Sequence, residues 1–149
     1  MRIYVDADGC PVKQEVLRVA GRYDLKVSMV ANTQMRLPAD ENVEQVVVAS
    51  GFDAADDWIA QRATDGDVVV SGDIPLASRC IERGARVIDF KGKELTPDTI
   101  GDAVAGRDLM AYLRESGLTT GGPAPFQPRD RSRFLHKLDE VIQAIRRRK

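Results

Sequence analysis

At 149 residues, with 43% apolar and 30% charged residues, the chain has the make-up of one globular domain that buries roughly two-thirds of its unfolded surface. No apolar run approaches the ~20 residues of a membrane span, and a net charge of −1 removes any global attraction to nucleic acid while leaving room for basic patches. Two cysteines and a single histidine exclude a disulfide framework and argue against zinc, so Cys10 and Cys80 read as reduced thiols.

The first predicted strand is Arg2–Val5. It meets Asp6 too early for a signal-peptide apolar region, so a cytoplasmic location is expected, without a membrane partner. A helix over Pro11–Tyr23 follows, then strands at Lys26–Ala31 and Val43–Val48, a helix over Asp53–Ala63, a strand at Asp67–Ser71, a helix at Pro75–Arg83 and a strand at Arg86–Asp89. This alternation predicts a mostly parallel sheet with helices on both faces. Pro11 and Pro75 are expected at the first helical position, where a missing N–H costs nothing. Beyond Gly92 the pattern is helical, from Thr96-Pro97 through Val104 and again over Asp108–Glu115. A Gly- and Pro-rich stretch, Gly117–Arg129, reads as an ordered loop. The last helix, Asp130–Arg148, carries Phe134, Leu135, Leu138, Val141, Ile142 and Ile145 on one stripe and should pack on the sheet. The expectation is a single domain over residues 1–149, with helical segment 130–148 packed on it.

The chemistry is expected where strands end. Asp6 and Asp8 flank Ala7 just beyond the first strand and can share a side of an extended chain. Ligands of open parallel sheets bind beyond the carboxyl ends of the strands. Asp53, Asp56 and Asp57 cluster at the start of a helix, and Asp73 ends the strand that leads to Pro75. Acids in a first turn also complement the helix dipole, and Asp73 also suits an N-cap. Two carboxylates ~4 Å apart repel by about 4 kcal/mol at an effective dielectric of 20, so a set of them calls for a cation. Hard oxygen ligands favour Mg²⁺ or Mn²⁺, and such ions activate water and neutralise phosphate, which is phosphodiester hydrolysis.

With these residues in place the chain resembles the uncharacterised YaiI/YqxD family (UPF0178, DUF188) over nearly its whole length. The resemblance is carried by Asp6-Ala7-Asp8-Gly9-Cys10-Pro11-Val12-Lys13, Gly51-Phe52-Asp53-Ala54-Ala55-Asp56-Asp57-Trp58-Ile59, Ser71-Gly72-Asp73-Ile74-Pro75-Leu76-Ala77, and Gly121-Gly122-Pro123-Ala124-Pro125-Phe126 leading to Asp130-Arg131. It implies a three-layer PIN-like α/β domain. PIN-type nucleases place acids where Asp6 or Asp8, Asp53 with Asp56 or Asp57, and Asp73 stand, and their usual substrate is RNA. The expected function is a divalent-metal-dependent ribonuclease. Asp6 and Asp73 are the expected direct ligands, Asp53 completes the set, and Asp8 and Asp57 ligate or orient the attacking water. Asp56 serves if the helix is rotated.

Two alternatives stay open. Asp6-x-Asp8-Gly9 also resembles haloacid-dehalogenase phosphatases, with Asp6 as nucleophile and Asp8 as acid/base, although Gly72-Asp73 lacks the second acid those enzymes carry. The other alternative is a non-catalytic module that binds RNA or protein, since fold does not dictate function. Lys13, Ser71 and Arg131 are the expected substrate contacts. Arg129, Arg131 and Arg133 cannot all point the same way on a helix. Arg146, Arg147, Arg148 and Lys149 suit a helix C-terminus. Cys10, near a helix start, is a weak candidate nucleophile, and His136 reads as a boundary residue. Trp58 and Ile59 read as core. Gly121-Gly122-Pro123 is no P-loop, since no Gly-Lys-Ser/Thr follows.

Overall fold

Val-rich segments between short polar turns give the strands, and apolar stripes at helical spacing give the helices that cover them. The computed structural model describes residues 1–49, 54–101 and 125–148. In chain order these form β1 (Arg2–Asp6), α1 (Lys13–Tyr23), β2 (Lys26–Ala31), β3 (Val43–Val47), α2 (Ala54–Arg62), β4 (Val68–Val70), α3 (Ile74–Glu82), β5 (Arg86–Ile88), β6 (Glu94–Leu95) and α4 (Pro128–Arg147). The six strands form one sheet in the order β3-β2-β1-β4-β5-β6. All pairs are parallel except β5 with β6.

Period-two alternation divides the sheet's side chains between two cores. Ile3, Val5, Val27, Met29, Val68 and Val70 face α1 and α4, where Val16, Val19, Phe134, Leu138 and Ile142 are fully buried or nearly so. Tyr4, Val30, Val69 and Val87 face α2 and α3 through Ile59, Leu76 and Cys80. The result is the expected three-layer, mostly parallel α/β arrangement. Since β1 lies beside β4 while the chain leaves them into helices on opposite faces, the carboxyl ends of these two strands flank the topological switch point of the sheet.

Several boundaries differ from expectation. Pro11 is not the first helical residue. It lies in the turn before Val12, the N-cap of α1, because the carbonyl of Ala7 gathers the chain there, accepting from the Cys10 N–H at 3.2 Å and from Lys13 Nζ at 3.2 Å. Pro75 stands second in α3, behind Ile74 and the N-cap Asp73. α4 starts at Pro128 rather than Asp130, since Asp130 reaches back from the third helical position to accept from the Gln127 N–H at 2.8 Å. The two-residue β6 is too short to show a period in the sequence. Residues 97–101 are helical as expected. The remainder of that segment, the helix at 108–115 and the loop from Gly117 to Ala124 lie outside the described residues. Among the described residues no helix is long and apolar enough to cross a membrane.

Candidate functional site

Three carboxylates emerge at the switch point. β1 delivers Asp6, and the turn that follows delivers Asp8. That turn closes with Gly9 at φ +70°, a left-handed conformation that a side chain would disfavour. Asp8 is exposed and pinned to the end of β2, where its Oδ2 accepts from the Asn32 N–H at 2.8 Å.

The neighbouring strand supplies the support. Val5 pairs with Val70, so Ser71 comes alongside Asp6, and its hydroxyl donates to Asp6 Oδ2 at 3.0 Å. The Ser71 oxygen accepts in turn from the Asp73 N–H at 3.0 Å. Asp73 then caps α3, its Oδ1 accepting from the Leu76 N–H at 3.0 Å. The N-cap reading of Asp73 is therefore realised, and it leaves Oδ2 available. Asp6 is half-buried, and burial pushes its carboxyl above the ordinary range. The negative charges of Asp73 and Asp8 act in the same direction, while the Ser71 hydrogen bond opposes them.

The other expected site residues are held elsewhere. Ser71 is fully buried, and its hydroxyl is engaged by Asp6. Asp57 forms an ion pair with Arg79 of α3 at 2.7 Å, and the like charges that act on Asp6 are those of Asp73 and Asp8 rather than those of α2. Asp56, the preceding residue of α2, is close enough to act on Arg79 and Cys80. Asp53 lies outside the described residues. Lys13 closes the β1–α1 turn through its bond to Ala7 O. Arg131 is a fastener between α4 and α1. It donates to Pro11 O at 3.2 Å and to Glu15, which is 6% exposed, and it stacks over Phe126 with 5.2 Å to the ring centroid. Trp58 is only partly buried, edge-on to Tyr4 at 6.1 Å and covered by Arg62, whereas Ile59 is core.

Sequence reasoning missed Glu15 and the supporting role of Ser71. Strand alternation carried a signal for Ser71, since it shares the face of Val69 and lies beside Asp6. Nothing local marked Glu15 as buried.

Both cysteines are free and buried. Burial pushes both thiols, Cys10 and Cys80, from 9.0 up to about 11. Unfolded thiols ionise near their ordinary value while the folded ones stay protonated, so each contributes stability that is intact below pH ~9 and lost as pH rises toward ~11. We expect an alkaline unfolding step in that window, and iodoacetamide labelling at pH 8 that is slow in the native protein and fast in urea. Native labelling as fast as in urea would contradict this assignment.

Among the described residues no group of three His, Cys, Asp or Glu is close enough to hold a metal ion. The donor set at the switch point fits a different mode. Asp6 Oδ1, Asp8 Oδ1 and Asp73 Oδ2 carry no hydrogen bond among the described residues. Mg²⁺ commonly keeps several waters and takes only one or two carboxylates plus substrate phosphate. A hydrated hard cation suits these oxygens, and a closed protein cage does not.

A family model for the uncharacterised YaiI/YqxD family, DUF188, matches residues 4–144. A UPF0178 protein of Rhodospirillum centenum is 56% identical over 149 residues, covering 97% of this chain and 97% of its own. A UPF0178 protein of Rhodopseudomonas palustris is 54% identical, covering 98% of this chain and 94% of its own. A third, from Bradyrhizobium diazoefficiens, is 55% identical, covering 99% and 89%. No solved structure matches the chain.

Proposed function

The chain belongs to the YaiI/YqxD family, and from that premise we propose that it is a divalent-metal-dependent hydrolase of phosphodiesters, with RNA as substrate. The observation that carries this reading is the bonded series Asp73–Ser71–Asp6 at the switch point, with Asp8 close enough to act on Asp6. Asp6 and Asp73 would hold a hydrated Mg²⁺ or Mn²⁺, with Asp8 orienting one of its waters, and the ion would lower the pKa of a bound water and neutralise phosphate charge. Within that scheme the buried Ser71 hydroxyl fixes the rotamer of Asp6. The Leu76 N–H fixes Asp73, and the Asn32 N–H fixes Asp8. Side chains locked in this way reduce the reorganisation a hydrated ion demands.

Asp73→Asn tests the cation independently of activity. Asparagine is as good an N-cap as aspartate, so the bond from Leu76 survives while one charge disappears. In metal-free buffer the variant should melt higher, by about 2–4 °C for each kcal/mol of repulsion relieved. Mg²⁺ at 10 times its Kd should stabilise the parent by about 1.4 kcal/mol and the variant by less. Equal response to Mg²⁺ in both proteins would sink the proposed centre. Turnover separates the chemistries. Metal-dependent cleavage of single-stranded RNA supports the nuclease, phosphate release from a phosphomonoester with a covalent aspartyl phosphate on Asp6 supports a phosphatase, and RNA binding without turnover supports a binding module.

A further inference from the structure

An acidic centre repels the backbone of the nucleic acid it would cleave, so a strand must be held by cations beside it. A groove of about 370 Å³ meets that need. It lies between α4 and the β5–β6 turn and is lined by Gly92, Ser132, Arg133, His136, Lys137 and Glu140. Positions 133, 136, 137 and 140 follow helical i, i+3, i+4, i+7 spacing and so share one face of α4. Arg133 is exposed and has no carboxylate partner among the described residues, and Lys93 is exposed beside Gly92. Glu140 is the acid in the groove, 3.1 Å from Lys137 and 3.6 Å from His136.

One end of the groove begins near the carboxylates. A Cβ placed on Gly72, between Ser71 and Asp73, would lie 3.9 Å from the Phe90 ring. Phe90 is only two residues from Gly92, at most about 7 Å of extended chain. The Gly92–Arg133 end of the groove therefore neighbours the acidic centre at the carboxyl edge of the sheet, and the groove runs from there along α4 toward Glu140, which faces Arg86 at the start of β5.

We infer that this groove takes the phosphates of an RNA strand, with Arg133 and Lys137 as the contacting cations, an assignment that rests on the phosphodiesterase reading above. The probe is a fluorescein-labelled single-stranded RNA of about 12 nucleotides, and the readout is anisotropy in EDTA between about 50 and 200 mM KCl. Each phosphate contact in a single strand contributes about −0.7 to the slope of log K against log salt. Arg133→Ala/Lys137→Ala should therefore flatten the slope by roughly 1.4 and weaken binding about tenfold near 100 mM salt. Glu140→Gln, which removes the competing carboxylate, should tighten binding about two- to fivefold. No RNA binding by the parent, or an unchanged slope in the double variant, overturns the inference. Groove-dependent binding without cleavage would leave this surface standing and remove the nuclease, whereas cleavage with unchanged affinity in the double variant would do the reverse.

Discussion

Gly92→Ala is expected to lower folding stability by roughly 3–5 kcal/mol, combining left-handed strain with a forced clash against backbone. Gly92 sits at φ +86° in the turn between β5 and β6. Asp89 shapes that turn, its Oδ1 accepting from the N–H groups of Lys91 and Lys93 at 2.9 Å each. An added Cβ would fall 2.6 Å from the Arg133 carbonyl carbon, 2.7 Å from its oxygen and 2.8 Å from the Phe134 nitrogen. These are main-chain atoms of α4, anchored by Phe134, which is fully buried, and a flexible side chain that could swing aside is not among them. Either the turn lifts off the helix or the helix leaves its core. Thermal and urea melts should show the loss, at about 2–4 °C per kcal/mol. Gly66→Ala is the control: its φ is +90° but nothing lies within 4 Å of an added Cβ, so only the strain of about 1 kcal/mol remains. Similar losses in the two variants would show that the close approach to α4 contributes nothing.

The same turn shows which features the sequence disclosed. Lys26–Ala31 was readable as a strand to the residue, because its apolar run is long and ends against Asn32. The approach of Gly92 to Arg133 was not, because it joins positions far apart in the chain through helix docking, which leaves no periodic trace. The same reasoning applies at the candidate site. Parallel α/β topology brings strand ends together, so the meeting of Asp6, Asp8 and Asp73 could be anticipated from where the apolar runs stop. The Asp57–Arg79 pair depends on how α2 packs on α3, and the Arg131–Glu15 pair on how α4 crosses α1. Both pairs engage charged residues with partners that local spacing did not indicate. Proline was misleading at Pro11 for a related reason: its fixed φ suits a turn as well as a first helical residue, and the Ala7 carbonyl decides between them by gathering Cys10 and Lys13.

Asp6→Asn should produce opposite changes in activity and stability. Its amide oxygen can still accept from Ser71, so the bond at 3.0 Å persists and the fold around it is undisturbed. What changes is charge. Burial, with the nearby charges of Asp73 and Asp8, raises the Asp6 pKa above 3.8, so the folded state disfavours the carboxylate more than the unfolded chain does. The stability tied to this group is complete below its unfolded pKa and is lost as pH climbs through the higher folded value. Asparagine does not titrate. Its advantage over aspartate should be absent near pH 3, grow through that window and hold at neutral pH as a higher melting temperature in metal-free buffer. Metal-dependent RNA cleavage should meanwhile fall by about 100-fold or more, since the variant lacks the anionic oxygen that the proposed centre needs. A destabilised variant would show that Asp6 is held for the fold. A stabilised variant with undiminished cleavage would place the chemistry elsewhere. Only the combination, more stable and less active, identifies a charge that folding resists and function requires.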